Sequence, residues 1–207
     1  MLKDIAQLAQ AKKLWVISDE IYEHIMYGDE PFISFAKLYA QTIVVNGISK
    51  AAAVTGWRVG YAAGPSDIIQ AMTALQSHLT GNVSNVMQAA LPPALTNGLV
   101  ADWLQQLQLR RQLVLDWVAQ HPAVQLVPPA GAFYCFLDIR GFKIDSITFC
   151  QRLLTEHYVA LVPGTYFGRD GFVRLSFANS SDRIGVALER ISKFCAILSE
   201  WKSSLAD

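Results

Sequence analysis

Three cysteines, four histidines and a charged fraction of only 16% are all that this 207-residue chain offers of those residue types. Each scarcity excludes something. Cys135, Cys150 and Cys195 are odd in number, widely spaced and form no CxxC. That argues against a disulfide framework or a thiolate zinc site and fits a reducing cytoplasm. His24, His78, His121 and His157 show no metal-ligand spacing, so no metal is expected. Seventeen basic residues balance seventeen acidic ones. The chain therefore has no electrostatic footprint for nucleic acid or an anionic membrane, and Lys12-Lys13 and Arg110-Arg111 are too short to make one. No apolar run is long enough to span a bilayer. Met1 to Lys13 carries Lys3, Asp4 and a helical periodicity instead of the apolar core of a signal peptide. Internal repeats and low-complexity tracts are also lacking.

What is present is apolar: 52% hydrophobic residues and a mean hydropathy of +0.26. That suffices for a sizeable core in one large or two small domains. Leu2, Ile5, Leu8 and Ala9 predict a first helix ending at Lys12-Lys13. Leu14 to Ser18, Thr42 to Val45 and Val59 to Ala63 read as short buried parallel strands. Pro65-Ser66-Asp67 opens a helix through about His78. This order predicts an α/β layer with a largely parallel sheet. Asn82 to Asn97 is helical in pattern, with Pro92-Pro93 expected to kink or interrupt it. Val100 to Gln120 reads as one long amphipathic helix linking two domains, stopped by His121-Pro122. Beyond it come strands at 124–127, 132–139, 159–162 and 172–177, a helix at 147–157 and a closing helix at 181–201. Ile184, Leu188, Ile191, Phe194, Leu198 and Trp201 form one stripe of that last helix. The predicted division is residues 1–99 and 100–207, the second part a small α+β domain.

Five places could carry chemistry. Lys50 follows the apolar strand Thr42 to Val45, where a desolvated amine becomes nucleophilic; a surface lysine at a strand-to-loop junction has the same pattern. Arg58, flanked by Gly56 and Gly60, can hold a phosphate as a planar fork of donors, or form a surface ion pair. A lysine and an arginine so placed suggest a phosphorylated aldehyde such as pyridoxal phosphate, held as a Schiff base. Asp19 stands at the C-terminal end of a predicted strand, where ligands of open α/β sheets bind. Its carboxylate can hold a pyridine nitrogen protonated, or cap the segment that follows. Tyr22 lies on the same face as Asp19 if that segment is helical, as a cofactor contact or as packing. Trp57 reads as packing. Arg174 shares a strand face with Phe172 and Ser176 and can clamp a carboxylate, or sit exposed on an edge strand.

Four stretches in order resemble the class I/II aminotransferases of the fold-type-I pyridoxal-phosphate enzymes, closest to the aspartate/aromatic branch. They are Ser18-Asp19-Glu20-Ile21-Tyr22-Glu23, Ser49-Lys50 with Thr55-Gly56-Trp57-Arg58-Val59-Gly60-Tyr61, Pro129-Ala130-Gly131-Ala132-Phe133-Tyr134, and Arg174-Leu175-Ser176-Phe177-Ala178. The resemblance implies a partial large cofactor-binding domain at 1–99, then the linking helix and small C-terminal domain at 100–207. It implies amino transfer between an α-amino acid and a 2-oxo acid, with pyridoxal phosphate as cofactor, in a cytoplasmic homodimer. It also implies roles. Lys50 carries the cofactor and shuttles a proton, Asp19 pairs with the ring nitrogen and Tyr22 bonds the ring oxygen. Ser49 and Arg58 hold the phosphate, and Arg174 holds the substrate α-carboxylate. In the family the aspartate motif falls near mid-chain, so this chain looks like the C-terminal portion of a member. No glycine- or serine-rich phosphate loop, ring-stacking aromatic or ring-oxygen asparagine has a counterpart here. Gly47 stands where many relatives have serine. The alternative expectation is a truncated, inactive fragment that self-associates through open sheet edges or needs a partner supplying the N-terminal half.

Overall fold

The structure is a computed structural model that describes residues 1–96 and 101–204. It divides into two compact units, Met1–Asp102 and Trp103–Asp207.

The first unit is an α/β layer. Helix α1, Leu2–Lys12, ends where Lys13 takes a left-handed conformation and donates back to the carbonyls of Ala9 and Gln10. Strand β1, Val16–Asp19, pairs in parallel with β2, Thr42–Asn46, in the register Val16↔Thr42 to Asp19↔Val45. Strand β3, Tyr61–Ala63, pairs antiparallel with β2, Asn46 opposite Tyr61. The sheet order is β1-β2-β3. Two expectations are corrected here. β3 runs antiparallel, because the short excursion from Gly47 to Gly60 acts as a reversal and not as a crossover. Nor is β1 a buried strand: Leu14 and Trp15 precede it and are exposed, and Ile17 is 72% exposed. Helix α2, Ser66–Leu79, starts after Pro65 as predicted and buries no residue. Helix α3, Asn85–Thr96, continues through Pro92 and Pro93, so the prolines do not interrupt it. The expected Asn97 and Val100 positions lie outside the described residues.

Helix α4, Ala101–Ala119, falls in the second unit from Trp103 onward and buries Leu107, Val114 and Trp117. Strands β4 (Gln125–Leu126), β5 (Tyr134–Asp138), β6 (Val162–Pro163) and β7 (Phe172–Ser176) form an antiparallel sheet in the order β4-β5-β7-β6. Helix α5, Ser146–His157, is capped by Asp145, whose carboxylate accepts from the Thr148 amide at 2.8 Å. Helix α6, Ser181–Ser204, buries the predicted stripe Ile184, Leu188, Ile191, Phe194 and Leu198; the side chain of Trp201 lies outside the described residues. Alternation sorts the sheet into two faces. Cys135, Leu137, Val173 and Leu175 are buried, and Tyr134, Phe136, Phe172 and Arg174 are half-buried on the opposite face. The predicted strand at 159–162 begins later than expected, at Val162. Cys135, Cys150 and Cys195 are free and buried, and burial pushes the thiols of Cys135 and Cys195 up to about 12. Among the described residues, no helix is long and apolar enough to cross a membrane.

Candidate active site

Pairing in the first unit gathers the candidate residues at one end of its sheet. Asp19 closes β1 opposite Val45, and the next amide, Glu20, donates to the Val45 carbonyl at 2.9 Å. Lys50 follows β2 by one turn, and Arg58 precedes β3, whose Tyr61 faces Asn46 at the end of β2. Because β1 and β2 are parallel and β3 returns antiparallel, the ends that carry Asp19, Ser49-Lys50 and Arg58 lie at the same edge of the layer.

Each residue has a local cause for its position. The Glu20 carboxylate is buried and accepts three hydrogen bonds, from the Ser18 hydroxyl, the Ser34 hydroxyl and the Phe35 amide, each at 3.0 Å. That lock fixes the chain as it leaves β1. Asp19 is exposed, and its Oδ1 accepts from the Ile21 amide at 3.2 Å. Tyr22 sits in a turn at 21–24 and not in a helix, so the helical spacing expected for Asp19 and Tyr22 does not apply. The Ile21 amide bond to Asp19 already bends the chain there.

Beyond β2, the buried Asn46 donates to Glu23 Oε1 at 2.7 Å and accepts from the Gly47 amide at 2.7 Å. A Cβ on Gly47 would stand 3.0 Å from Gly60 Cα and from the Val59 carbonyl oxygen. This close approach of two backbone segments accounts for glycine at that position. Gly60 meets the Asn46 carbonyl in the same way, so its small size serves the protein's own packing, whereas Gly56 faces open space. Ile48 and Ala51 are buried and anchor the turn that presents half-buried Ser49 and Lys50. Among the described residues Lys50 makes no ion pair. Arg58 takes a left-handed conformation at φ 52°, is exposed, and donates from Nη1 to the Thr55 carbonyl at 3.0 Å. Trp57 beside it is 41% exposed, so it is not the packing residue expected.

Arg174 belongs to the second unit. β7 is an interior strand, with Phe136 of β5 and Val162 of β6 opposite Arg174, so the edge-strand alternative is excluded. Its guanidinium lies over the rings of Tyr134 and Phe167. Glu20, Asn46 and Tyr61 were not among the residues that sequence reasoning singled out for chemistry. Burial, and then the charges of Glu23 and Glu20, raise the Tyr61 hydroxyl above its ordinary value. The only signal for these residues lay in their adjacency to the predicted strand ends. A groove of about 550 Å³ between α2 and the β2-β3 ends is lined by Asn46, Tyr61, Met72 and Gln76, and by none of the six predicted site residues.

A lysine free of ion pairs, an arginine with open donors, a hydroxyl and a strand-end carboxylate form a donor set that fits a phosphorylated pyridine aldehyde. Comparison with known proteins agrees with that chemistry. The family model for aminotransferase class I and II matches residues 1–191. The chain is 41% identical over 206 residues to an aspartate aminotransferase from Geobacillus stearothermophilus, covering 93% of this chain and 52% of that one. Its structure is similar to that of an aromatic aminotransferase from Pyrococcus horikoshii OT3, with TM-score 0.89 and 36% identity over 97% of this chain and 55% of that chain. The likeness extends to an aspartate aminotransferase from Thermotoga maritima, with TM-score 0.83 and 37% identity over 93% and 51% of the two chains. The chain spans about half the length of the curated relatives it matches. Members of this family depend on pyridoxal phosphate. With its motifs in order and the family model matching from Met1 to Ile191, this chain belongs to the class I and II aminotransferases.

Proposed function

We propose that the chain carries the cofactor- and carboxylate-binding residues of a pyridoxal-phosphate-dependent aminotransferase acting between an α-amino acid and a 2-oxo acid. One observation carries this reading: Asp19, Ser49-Lys50 and Arg58 share one end of the β1-β2-β3 sheet. When bound, pyridoxal phosphate supplies an aldehyde carbon and a ring that draws electron density from the amino acid's Cα. Lys50 would hold that carbon through its amine and, once the substrate's amino group has taken its place, that freed amine would carry the proton to and from Cα. The Asp19 carboxylate keeps the ring nitrogen protonated, and the Tyr22 hydroxyl bonds the ring oxygen. Ser49 and Arg58 hold the phosphate, and Arg174 takes the substrate α-carboxylate in two parallel hydrogen bonds.

In this reading the first unit is part of the large cofactor-binding domain and the second is the small C-terminal domain of a cytoplasmic homodimer. The relatives named as aspartate and aromatic aminotransferases support acidic and aromatic amino acids as the first donors to try. The test is amino transfer by the purified chain from aspartate to 2-oxoglutarate. Turnover that disappears in Lys50→Ala supports the reading, and turnover unchanged by that substitution refutes it. A second reading is favoured by the exposure of Ile17, Leu75, Leu79 and Val86: an inactive fragment that self-associates or requires a chain supplying the other half. Robust turnover by the purified chain alone excludes it.

A further inference from the structure

Arg174 Cζ lies 4.4 Å from the centroid of the Tyr134 ring and 4.5 Å from that of Phe167. Both distances fall within the range in which a ring face attracts a guanidinium. The two rings come from different elements. Tyr134 opens β5 opposite Ser176, and Phe167 ends the short turn Gly164–Phe167 that follows β6. Arg174 has no hydrogen bond or ion pair with any described residue. The rings attract its charge, and no oxygen or nitrogen acceptor among the described residues takes its N–H groups, so those donors stay available to a planar acceptor.

Phe167 is 47% exposed, yet its turn is firmly held. A Cβ on Gly164 would collide with the carbonyl oxygens of Arg169 and Phe172, so the turn packs backbone against backbone there. The Thr165 hydroxyl bonds Asp170 Oδ1 at 3.2 Å and the Ser146 hydroxyl at 2.9 Å, and the Ser146 amide donates to the same Asp170 oxygen at 2.8 Å. These bonds tie the turn to the first residue of α5. Phe136 meets the Phe167 ring edge-on, with centroids 6.0 Å apart.

We propose that Tyr134 and Phe167 are positioning residues that fix the guanidinium of Arg174 so that its N–H edge is ready for a planar carboxylate. The proposal rests on the reading of Arg174 as the carboxylate anchor. Holding a long side chain in one orientation before the ligand arrives reduces what binding must spend on ordering it.

The test is ¹⁵N NMR of the arginine Nε–H groups of the full chain, with the Arg174 signal assigned by its loss in Arg174→Lys. Acetate is titrated at constant ionic strength, with chloride as control. The expected result is a ring-shifted Arg174 signal that responds to acetate and not to chloride. Phe167→Leu and Tyr134→Leu should each move that signal toward the other arginines and weaken acetate binding about 2- to 5-fold. Tyr134→Phe keeps the ring and should leave both properties as they are in the unsubstituted chain. An unshifted Arg174 signal, or acetate binding unchanged by both leucine substitutions, overturns the positioning role. A ring-shifted signal that ignores acetate in the unsubstituted chain overturns the carboxylate reading beneath it.

Discussion

The two units of this chain solve the burial problem to different degrees. Among the described residues, the larger apolar side chains buried in the first unit are Ile25, Phe35, Val44, Ile48 and Val59. The second unit encloses Phe149, Phe177 and Phe194 together with Leu107, Leu137, Leu153, Ile191 and Leu198, all nearly inaccessible to water. Its sheet has one face covered by packed side chains, whereas the first unit leaves Ile17 72% exposed and α2 without a buried residue. The residues proposed to hold the cofactor lie in the poorly covered unit. The proposed cofactor-holding residues and the larger enclosed core thus lie in different units, while the proposed carboxylate anchor Arg174 lies with the core. In the first unit, polar locks such as Glu20 and Asn46 set local geometry where apolar burial is thin.

The largest effect that sharpens this contrast is expected in the second core. Phe194→Ala should cost ~3–5 kcal/mol of unfolding free energy, whereas Leu75→Ala on α2 should change stability by less than ~0.5 kcal/mol; urea titration followed by circular dichroism compares the two. Equal costs would break the comparison. Next comes Glu20→Ala, which orphans the buried Phe35 amide and should cost ~1–3 kcal/mol. Hydrogen exchange at Phe35 reads this directly, and unchanged protection there would show that the lock is not needed. Asp145→Ala removes the α5 cap and should cost ~1 kcal/mol, seen as faster amide exchange at Thr148.

The smallest effect concerns pH. Bonds from the Ser146 amide and hydroxyl, then from the Gly171 amide, hold the Asp170 carboxyl down at about 2. Its folded value is below the ordinary carboxylate range, so its contribution to stability is complete above about pH 4. That contribution fades as pH falls from there toward 2. Asp170→Asn should therefore flatten the acid limb of the stability profile of the second unit. An acid limb identical in that variant would assign the pH dependence elsewhere.

Periodicity made the helices legible, because each has a repeat that one sequence can display. α1, α2, α5 and the buried stripe of α6 lie within a few residues of expectation. Strand direction was not legible. Val59 to Ala63 looks the same whether parallel or antiparallel, since direction is set by the path of the intervening loop and not by the strand's own residues. Burial of β1 failed for a related reason: an apolar run shows what a strand could bury, not what is there to cover it. The interruption expected at Pro92-Pro93 does not occur, since α3 runs on to Thr96. At the site, Asp19, Lys50, Arg58 and Arg174 could be named from motif order, and pairing explains why the first three converge. The supports were invisible: Glu20 reaches Ser34 and Phe35 across 14 and 15 residues, and Phe167 meets Arg174 only because a turn folds back beside β7.

The most direct test of the central claim is a pyridoxal phosphate titration of the purified chain, followed by visible absorption, with Lys50→Ala as control. A saturable change in the cofactor's spectrum that is absent in Lys50→Ala is the predicted result, and it would place the cofactor on the β1-β2-β3 end. A folded chain whose titration is indistinguishable from that of Lys50→Ala would contradict the account.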